Sequence, residues 1–407
     1  MRALFLTWDG PQQSYLESLF FPIFQGLRAR GVELSVLQLT WATPAQLEPT
    51  RAAAQRRGIP YVSVATPARL RTLALPAVVP YGAAVTLRHL RKEHIETLFP
   101  RSLIPMSMAL VVRRLRPRLD LLFDADGFMA DERLDFGGWS ESGAPYRVLR
   151  RVEANGVRAA RAVICRSQAA RRILSERARL AETEQQKIFV APNAKDASEF
   201  TPGTPESRAL TRAAFGIPAQ VPWLVYVGSI GPQYCPELML DAYARVLERR
   251  PDARLSCFTL HENALRPLLA RSGLSAAQVD VRPAAPAQVP AILAAADVGL
   301  ALRRETPSQR GISPIKVGEY LLCGLPVVAS RVGDLEEQLG ASDTALLVDT
   351  ADRGAAEQIA AWIVGRVLGN RDALRAPARE LGLRWFALEQ CVATYAAMFG
   401  HAARSSP

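Results

Sequence analysis

The chain has 407 residues, of which 49% are apolar and 22% are charged, a composition typical of a folded globular protein and far from that of a disordered chain. A single hydrophobic core rarely serves more than ~300 residues, so this length predicts two domains. No apolar run reaches the ~20 residues that a membrane-spanning helix needs, and the opening residues lack the layout of a signal peptide. We therefore expect a cytoplasmic protein.

The net charge of +11 is concentrated between residues 51 and 120, where arginines are interleaved with apolar residues. Such a mixture can rest on an anionic membrane surface, and we predict peripheral contact with the inner face of the cell membrane through this segment. A solvated arginine-rich face and a nucleic-acid patch are the alternatives. Because no RNA- or DNA-binding signature accompanies the segment, we expect no nucleic-acid partner.

The first half of the chain alternates short apolar runs with helical patterns, which is typical of parallel strands flanked by helices. Residues 3–7 are the first predicted strand, and a helix is predicted over 14–30 until Gly31 ends it. Further strands are predicted at 32–39, 61–64, 119–123, 162–165 and 188–190. These elements indicate one doubly wound domain, and the turn-rich segment 192–205 predicts a linker.

The second half repeats this rhythm. Strands are predicted at 223–227, 254–258, 279–282, 298–301, 326–330 and 345–348, and helices at 236–249, 287–295, 316–323 and from 352 onwards. The predicted fold class is therefore α/β, with two doubly wound Rossmann-like domains at 1–200 and 201–385 and a C-terminal helix at 386–407 that packs back on the first domain. Because ligands bind at the carboxyl ends of parallel strands, we expect the domains to face a central cleft.

The most informative segment, residues 310–330, reads RGISPIKVGEYLLCGLPVVAS and combines a loop of small residues, a helix start and a strand. The backbone amides of 311–313 and the helix N-terminus can bind an anion such as a diphosphate. Lys316 and Glu319 are three residues apart and share one helix face, so they can hold phosphate oxygens and ribose hydroxyls. An ordinary surface ion pair is the alternative.

Residues 313–330 resemble the donor-site signature of family 4-like retaining glycosyltransferases of the GT-B type, as found in bacterial exopolysaccharide and lipopolysaccharide synthesis. Three further segments resemble the family in the expected order: APNAKD at 191–196, YVGSIG at 226–231 and ILAAADVGL at 292–300. In that family the glutamate matching Glu319 binds the donor ribose. We predict catalytic roles for Lys316 and Glu319. The predicted donor contacts are Gly228, Ser229, Gly231, Arg282, Arg310, Gly311, Ile312 and Ser313.

Two departures from the family pattern concern the diphosphate. Gly311 stands where many members have a first glutamate, eight positions before Glu319. The segment SIGPQYC at 229–235 lacks the Arg and Lys that many members place after the glycine loop. We expect nearby cations to replace that pair: Lys316 with Arg310, Arg303 or Arg304.

Two loops of the first domain follow predicted strands and are expected to contact the acceptor. Asp9, Gly10 and Gln12 follow the first strand, where a turn with a helix cap at Ser14 is the alternative interpretation. The segment FDADGFMADER at 123–133 resembles the acidic segment of transferases that build bacterial exopolysaccharides.

Asp124 and Asp126 in that segment are predicted to bind acceptor hydroxyls, with loop and cap roles as the alternative. They also form the D-x-D tripeptide that binds a metal in a different transferase architecture. Because no second ligand cluster is nearby in the sequence, no metal is expected.

The resemblance implies transfer of a hexose from a nucleoside-diphosphate sugar to a hydroxyl, with retention of configuration, without a metal and with no cofactor beyond the donor substrate. The expected acceptor is a saccharide or a lipid-linked saccharide, since a lipid carrier would explain the basic segment 51–120. Two alternatives stay open: a non-catalytic sugar-nucleotide-binding homologue, and a GT-B-shaped sugar-nucleotide epimerase, which would need acid and base groups around the sugar.

Overall fold

The structure is a computed structural model that describes residues 1–11, 15–67, 75–275 and 277–404. The chain forms two compact units. The first unit contains Met1–Pro192 together with Leu388–Pro407, and the second contains Asn193–Ala387. The segment 193–200, which the sequence interpretation assigned to the first domain, thus lies in the second unit.

A parallel sheet of seven strands forms the centre of the first unit. Its strands are β1 (Arg2–Asp9), β2 (Glu33–Thr40), β3 (Tyr61–Ala65), β4 (Thr97–Pro100), β5 (Asp120–Asp124), β6 (Ala162–Cys165) and β7 (Ile188–Val190). Their spatial order is β3-β2-β1-β4-β5-β6-β7. The order reverses between β1 and β4, so the carboxyl ends of these two strands meet where doubly wound sheets bind ligands.

Helices connect the strands of the first unit. They are α1 (Phe21–Arg28), α2 (Glu48–Arg56), α3 (Leu75–Lys92), α4 (Leu103–Leu115), α5 (Met129–Phe136), α6 (Ala144–Ala159) and α7 (Gln168–Ala178). A 3-10 turn at Glu182–Lys187 precedes β7. In the described part of the predicted helix 14–30, the turn Leu16–Phe20 is π-helical and only then does α1 begin. Pro22 explains the change, because it has no N–H to donate to the carbonyl four residues earlier.

Aromatic residues fill the core beneath β1. The ring of Phe5 lies 4.8 Å from that of Phe20, 5.0 Å from that of Phe24 and 5.5 Å from that of Phe99 between centroids. Such tilted and edge-on contacts stabilise the packing beyond simple burial. They fix the positions of the residues that follow β1 and β4.

A parallel sheet of six strands forms the centre of the second unit. Its strands are β8 (Trp223–Val227), β9 (Arg254–Phe258), β10 (Val279–Arg282), β11 (Val298–Ala301), β12 (Val327–Ser330) and β13 (Ala345–Val348). Their order is β10-β9-β8-β11-β12-β13. The order reverses between β8 and β11, so the loops after these strands occupy the ligand-binding position of this sheet.

Helices also cover the second sheet. They are α8 (Pro205–Ala214), α9 (Pro236–Arg249), α10 (Glu262–Ser272), α11 (Val289–Ala295), α12 (Ile315–Leu322), α13 (Leu335–Leu339), α14 (Ala355–Trp362) and α15 (Arg371–Phe386). Shorter turns are 3-10 at Pro286–Gln288 and Pro307–Gly311 and π-helical at Ile363–Val367. Helix α12 is held tightly by α15, since a Cβ atom at Gly382 would lie 2.6 Å from the Leu322 backbone nitrogen.

After α15 the chain returns to the first unit as helix α16 (Leu388–Arg404). The ring of Phe99 lies 5.7 Å from that of Phe399 and 6.3 Å from that of Tyr395. Val392 packs against Gly26 of α1 so closely that a Cβ atom there would lie 2.7 Å from it. The last helix therefore completes the core of the first unit.

The predicted fold class, α/β with two doubly wound domains, is confirmed by the two parallel sheets and their strand orders. Strand β4 was not predicted from the sequence. It has four residues, of which only Leu98 and Phe99 are strongly apolar, and Pro100 ends it. Such a short run carries little periodicity of its own.

Candidate functional site

Lys316 lies buried at the start of α12, beside the end of β8, and faces two aromatic rings. Its Nζ atom is 3.9 Å from the ring centroid of Tyr226 and 4.5 Å from that of Tyr234; we call these two residues the tyrosine cage. The lysine is 9% exposed, and among the described residues Nζ has no hydrogen-bond partner. The ring faces attract a cation, but they leave its hydrogen-bonding capacity unused.

The surroundings of Lys316 disfavour its charge. Burial first, and then the neighbouring Arg303, lower the pKa of Lys316 well below its ordinary value, while Glu319 opposes this effect. A buried ammonium without a bonded partner is costly. An anion bound beside Nζ would relieve that cost, so this position is suited to a phosphate group.

Gly228, at the end of β8, keeps the space beside Lys316 open. Its φ is +132°, a region that side-chain-bearing residues rarely adopt, and its N–H donates to the Phe258 carbonyl at 2.9 Å. A Cβ atom at this position would lie 3.2 Å from the Lys316 Nζ. The glycine therefore allows both the turn and the approach of a ligand to the ammonium.

The loop before α12 is fixed by Asn193. The Asn193 backbone N–H donates to Ser313 Oγ at 3.2 Å, and its side-chain Nδ2 donates to the Ser313 carbonyl at 2.7 Å. Helix α12 then begins after Pro314. Its first backbone N–H groups carry the positive end of the helix dipole, beside the Lys316 side chain.

Glu319 forms an ion pair with Lys195, at 2.9 Å between Oε1 and Nζ. Both side chains are largely buried. The helical spacing of Glu319 from Lys316 indicated those two residues, and Lys195 was not predicted as a site residue. The signal that could have indicated it is the segment APNAKD, where Lys195 follows Asn193 by two positions.

The other predicted donor residues differ in their surroundings. The Ser229 carbonyl accepts from the Tyr226 hydroxyl at 2.5 Å, and the Gly231 carbonyl accepts from the Tyr234 N–H at 3.0 Å. Gly228, Ser229 and Gly231 thus lie with the tyrosine cage. Gly311 is buried, Ile312 is half-buried, Ser313 is buried and Arg310 is exposed.

The arginines that were expected near the diphosphate, or among the donor contacts, differ in their partners. Arg303 is held by Gln309, at 2.7 Å from Nε to Oε1, and lies 4.6 Å above the ring of Tyr234. Arg304 is exposed and donates to the Pro232 carbonyl at 3.0 Å. Arg282 lies apart from this group, at the end of the edge strand β10, and is paired with Asp280 at 2.6 Å.

The first unit carries five charged residues at the carboxyl ends of its strands, which we call the charged network: Asp9, Arg101, Asp124, Asp126 and Arg166. Arg101 reaches Asp9 at 3.5 Å and Asp126 at 2.5 Å. Arg166 reaches both oxygens of Asp124, at 2.6 and 2.8 Å, and Asp126 at 3.3 Å. The sequence predicted the three aspartates but neither arginine, although each arginine directly follows a strand.

Asp124 occupies the floor of this network. It is completely buried, and Arg166 engages both of its oxygens. The side chain has no exposed atom, and its predicted contact with an acceptor hydroxyl stays a prediction. Burial raises the pKa of Asp124 to about 6, against the lowering effect of Arg166, whose guanidinium bonds both carboxylate oxygens.

Asp126 and Asp9 are the parts of the network nearer the surface. Burial works against the ionised form of Asp126, but Arg101 and Arg166 outweigh it and lower the pKa of Asp126. Asp9 also accepts from the Thr7 hydroxyl. Gly10 follows and packs against Trp41, while Gln12 and Ser14 lie outside the described residues.

Two features are absent from the described ranges, namely a cluster of potential metal ligands and a helix that could cross a membrane. No three of the His, Cys, Asp and Glu side chains described come together as metal ligands, and both aspartates of the D-x-D tripeptide are engaged by arginines. No helix in the described part of the chain has the length and apolar character to cross a membrane.

The strand orders of the two sheets are those of doubly wound, Rossmann-like units, and the lysine site lies at the carboxyl end of β8 in the second of them. Residues 221–365, which include β8, the tyrosine cage and α12, match the family described as "Glycosyl transferases group 1". The matched segment contains residues 313–330, whose resemblance to family 4-like GT-B glycosyltransferases was the basis of the sequence prediction.

Two relatives in sequence are each named D-inositol 3-phosphate glycosyltransferase. That of Corynebacterium urealyticum is 28% identical over 200 residues, 47% of this chain and 45% of the relative. That of Nocardia farcinica is 29% identical over 219 residues, 50% of this chain and 45% of the relative. The match thus spans less than half the length of these relatives.

Solved structures match the fold over nearly the whole chain. Anabaena HepE in complex with UDP-glucose is 17% identical with a TM-score of 0.74, covering 98% of this chain and 99% of HepE. Sucrose-phosphate synthase from Thermosynechococcus elongatus is 16% identical with a TM-score of 0.72, covering 100% of each chain. At this level of identity, the likeness establishes the fold.

Proposed function

We propose that the protein transfers a hexose from a nucleoside-diphosphate sugar to a hydroxyl of a saccharide acceptor, with retention and without a metal. The observation that carries this proposal is the Lys316 ammonium, which is buried, faces the tyrosine cage and has no hydrogen-bond partner among the described residues. A diphosphate would supply the missing partner. Such a group is also the leaving group of the reaction.

The second unit supplies the donor contacts in this proposal. Lys316 and the N-terminus of α12 hold the diphosphate oxygens. Glu319, oriented by Lys195, accepts hydrogen bonds from the ribose hydroxyls. Because Lys195 neutralises Glu319, the carboxylate can stand close to the diphosphate with little repulsion.

The reaction itself needs no protein nucleophile. The bond from the sugar anomeric carbon to the diphosphate oxygen breaks, and a bond from that carbon to the acceptor oxygen forms on the same face. The acceptor hydroxyl proton passes to an oxygen of the departing diphosphate. The protein's contribution is to orient the substrates and stabilise the charge of the leaving group.

UDP is the nucleotide that we propose for the donor. The support is the Anabaena relative in fold, whose solved structures hold UDP and UDP-glucose. Because that relative shares only 17% of its residues with this chain, GDP and ADP are compared directly in the experiment below.

A lipid-linked acceptor and peripheral membrane contact belong to the same proposal. On helix α3 the exposed positions form one stripe, since they recur at helical spacing. The stripe begins with apolar residues and ends with basic ones: Pro76, Pro80, Ala84, Arg88, Arg91 and Lys92. A surface of this kind fits the boundary between acyl chains and anionic headgroups. Sedimentation with vesicles of anionic lipid tests it, and protein that stays in the supernatant at low salt would exclude it.

The experiment for the donor site is thermal-shift binding of UDP, GDP and ADP in metal-free buffer. The wild type should be stabilised by one nucleotide, and the Glu319→Ala variant should lose that stabilisation. Failure of all three nucleotides to stabilise the wild type would overturn the proposed donor site. Binding without turnover would instead favour a non-catalytic homologue, and conversion of the donor sugar without acceptor would favour an epimerase.

A further inference from the structure

We propose that the acceptor site of the first unit takes an uncharged, hydroxyl-bearing group and excludes a phosphate-bearing acceptor. This inference rests on the proposed function, because it concerns the acceptor of the same reaction. The inference is based on the charged network alone, and all residues of that network belong to the first unit.

The first observation is the balance of charge. The network contains three carboxylates, those of Asp9, Asp124 and Asp126, and two guanidinium groups, those of Arg101 and Arg166. Each guanidinium contacts two of the carboxylates. The network therefore contains one more carboxyl group than guanidinium groups, and each arginine has its charge compensated by the aspartates that it contacts.

The second observation is which groups a ligand can reach. The side chains of Arg101 and Arg166 are 8% and 2% exposed, whereas those of Asp9 and Asp126 are 12% and 25% exposed. Aromatic rings close over Arg101: Tyr15 lies 4.7 Å and Phe20 4.9 Å from its guanidinium carbon. A molecule that approaches the network therefore meets carboxylate oxygens first.

The third observation is the kind of hydrogen bond that the exposed oxygens can form. The reachable oxygens of Asp9 and Asp126 belong to carboxylates, which only accept hydrogen bonds when ionised. A hydroxyl group can donate to them. A phosphate dianion can only accept at this surface, and it would be repelled by the nearby carboxylates.

The relatives of similar sequence are named for a phosphorylated acceptor, D-inositol 3-phosphate. Recognition of such a phosphate calls for a cation that no carboxylate has already neutralised. In the first unit of this chain, the arginines at the ends of β4 and β6 are committed to aspartates. We therefore expect this site to accommodate a class of acceptor other than the phosphate ester for which those relatives are named.

The test compares D-inositol 3-phosphate with inositol as ligands of the full chain at about pH 7.5, with and without UDP, by calorimetry or thermal shift. Wild type is expected to bind the phosphate ester no more tightly than inositol. In the Asp126→Asn variant, which loses one carboxylate charge between Arg101 and Arg166, affinity for the phosphate ester should rise by about tenfold or more.

The matched control is Asp120→Asn. Asp120 begins the same strand that Asp124 ends, and its side chain is 23% exposed. It pairs with Arg161 at 2.7 Å, so the variant loses a comparable ion pair at the opposite end of β5. The Asp120→Asn variant should show no gain in affinity for the phosphate ester. If Asp126→Asn does not fold, Asp9→Asn provides a second variant with the same expected direction.

Tighter binding of the phosphate ester than of inositol by wild type would overturn the inference, and so would an absence of gain in both network variants. The proposed donor site is assessed separately in the same samples, by stabilisation with UDP alone. Loss of that stabilisation would overturn the donor site, while the comparison of the two inositol ligands would still be informative.

Discussion

Lys195 Nζ lies 2.9 Å from Glu319 Oε1, and the two side chains are only 12% and 14% exposed. This contact joins the segment that follows β7 to the helix that carries Lys316. The chain has fifty basic residues, and two of its few lysines, Lys195 and Lys316, are in this one site. The pair fixes the carboxylate that we propose as the ribose ligand.

Replacing Lys195 by methionine should weaken both folding and nucleotide binding. The substitution leaves the Glu319 carboxylate largely buried without its partner, which should cost about 2 kcal/mol in the free energy of unfolding. Glu319 should also lose its orientation, so UDP affinity should fall. Urea denaturation measures the first effect, and calorimetric titration with UDP measures the second.

The control for this prediction is Lys92→Met. Lys92 pairs with Glu93 at 3.4 Å, but its side chain is 78% exposed, so its removal should change stability by less than about 0.5 kcal/mol. Equal losses of stability in the two variants would contradict a special role for the buried pair.

Replacing Lys316 by methionine should separate stability from binding. The variant removes a buried ammonium that has no hydrogen-bond partner among the described residues and keeps a side chain of similar length. The free protein should therefore become more stable, by about 1 kcal/mol. UDP affinity should fall by about tenfold or more, because a charged hydrogen bond to the diphosphate is lost.

The same two measurements, denaturation and UDP titration, check this prediction. A Lys316→Met variant that loses stability and keeps its affinity for UDP would show that the lysine is structural. Loss of both would contradict the expected trade-off between stability and binding.

UDP affinity should also depend on pH through Lys316. Its pKa in the free protein is lowered, by burial first and then by Arg303, and a bound diphosphate should raise it again. Between these two pKa values binding takes up a proton, so affinity should fall as pH rises. The measurement is UDP titration from about pH 7 to about pH 9.5, above the ionisation of the nucleotide phosphate near pH ~6.

Lys316→Met provides the reference for that titration, because it retains the neighbouring ionisable groups of the site: Arg303, Glu319, Cys257, Tyr226 and Tyr234. Its UDP affinity should change less with pH than that of the wild type. Parallel pH profiles for the two proteins would show that Lys316 does not change its protonation when UDP binds.

The stability of the free wild type should change with pH in the opposite direction to its UDP affinity. Because the pKa of Lys316 is lower in the folded chain than in the unfolded chain, the unfolded chain binds more protons in the window below 10.5. The free energy of unfolding should therefore rise with pH in that window.

Gly228→Ala should reduce UDP binding and stability together. A residue with a Cβ atom is strained at a φ of +132°, at a cost of about 1–3 kcal/mol, and the new atom would lie 3.2 Å from the Lys316 Nζ. Both effects are measured as before, by denaturation and by UDP titration.

Gly400→Ala is the matched control for Gly228→Ala. Gly400 lies in helix α16, and a Cβ atom added there would meet no other described residue within 4 Å. Alanine should therefore stabilise that helix by up to about 1 kcal/mol and leave UDP affinity unchanged. Equal behaviour of the two variants would contradict the role assigned to Gly228.

Much of the second unit could be predicted from the sequence because its signals are local. The loop, helix start and strand of 310–330 are contiguous, and Lys316 and Glu319 lie within one turn of one helix. Lys195 could not be assigned in this way, because its pairing with Glu319 depends on a contact between residues far apart in the chain.

The charged network also could be predicted only in part from the sequence. The sequence identified Asp9, Asp124 and Asp126 as polar residues after strands, but it could not show which would be exposed. Arg101 was overlooked because β4 is too short to be recognised, and Asp124 is buried together with Arg166, its ion-pair partner. Exposure and pairing are properties of the assembled sheet, whereas strand ends can be located by pattern.

The return of α16 to the first unit also determines the order in which the protein can finish folding. Tyr395, Met398 and Phe399 are at most 1% exposed, and they belong to a core whose strands are all synthesised before residue 193. While the ribosome makes the whole second unit, the apolar surface that α16 later covers stays open to solvent and to wrong partners. The unit that is synthesised first is therefore the last to be completed.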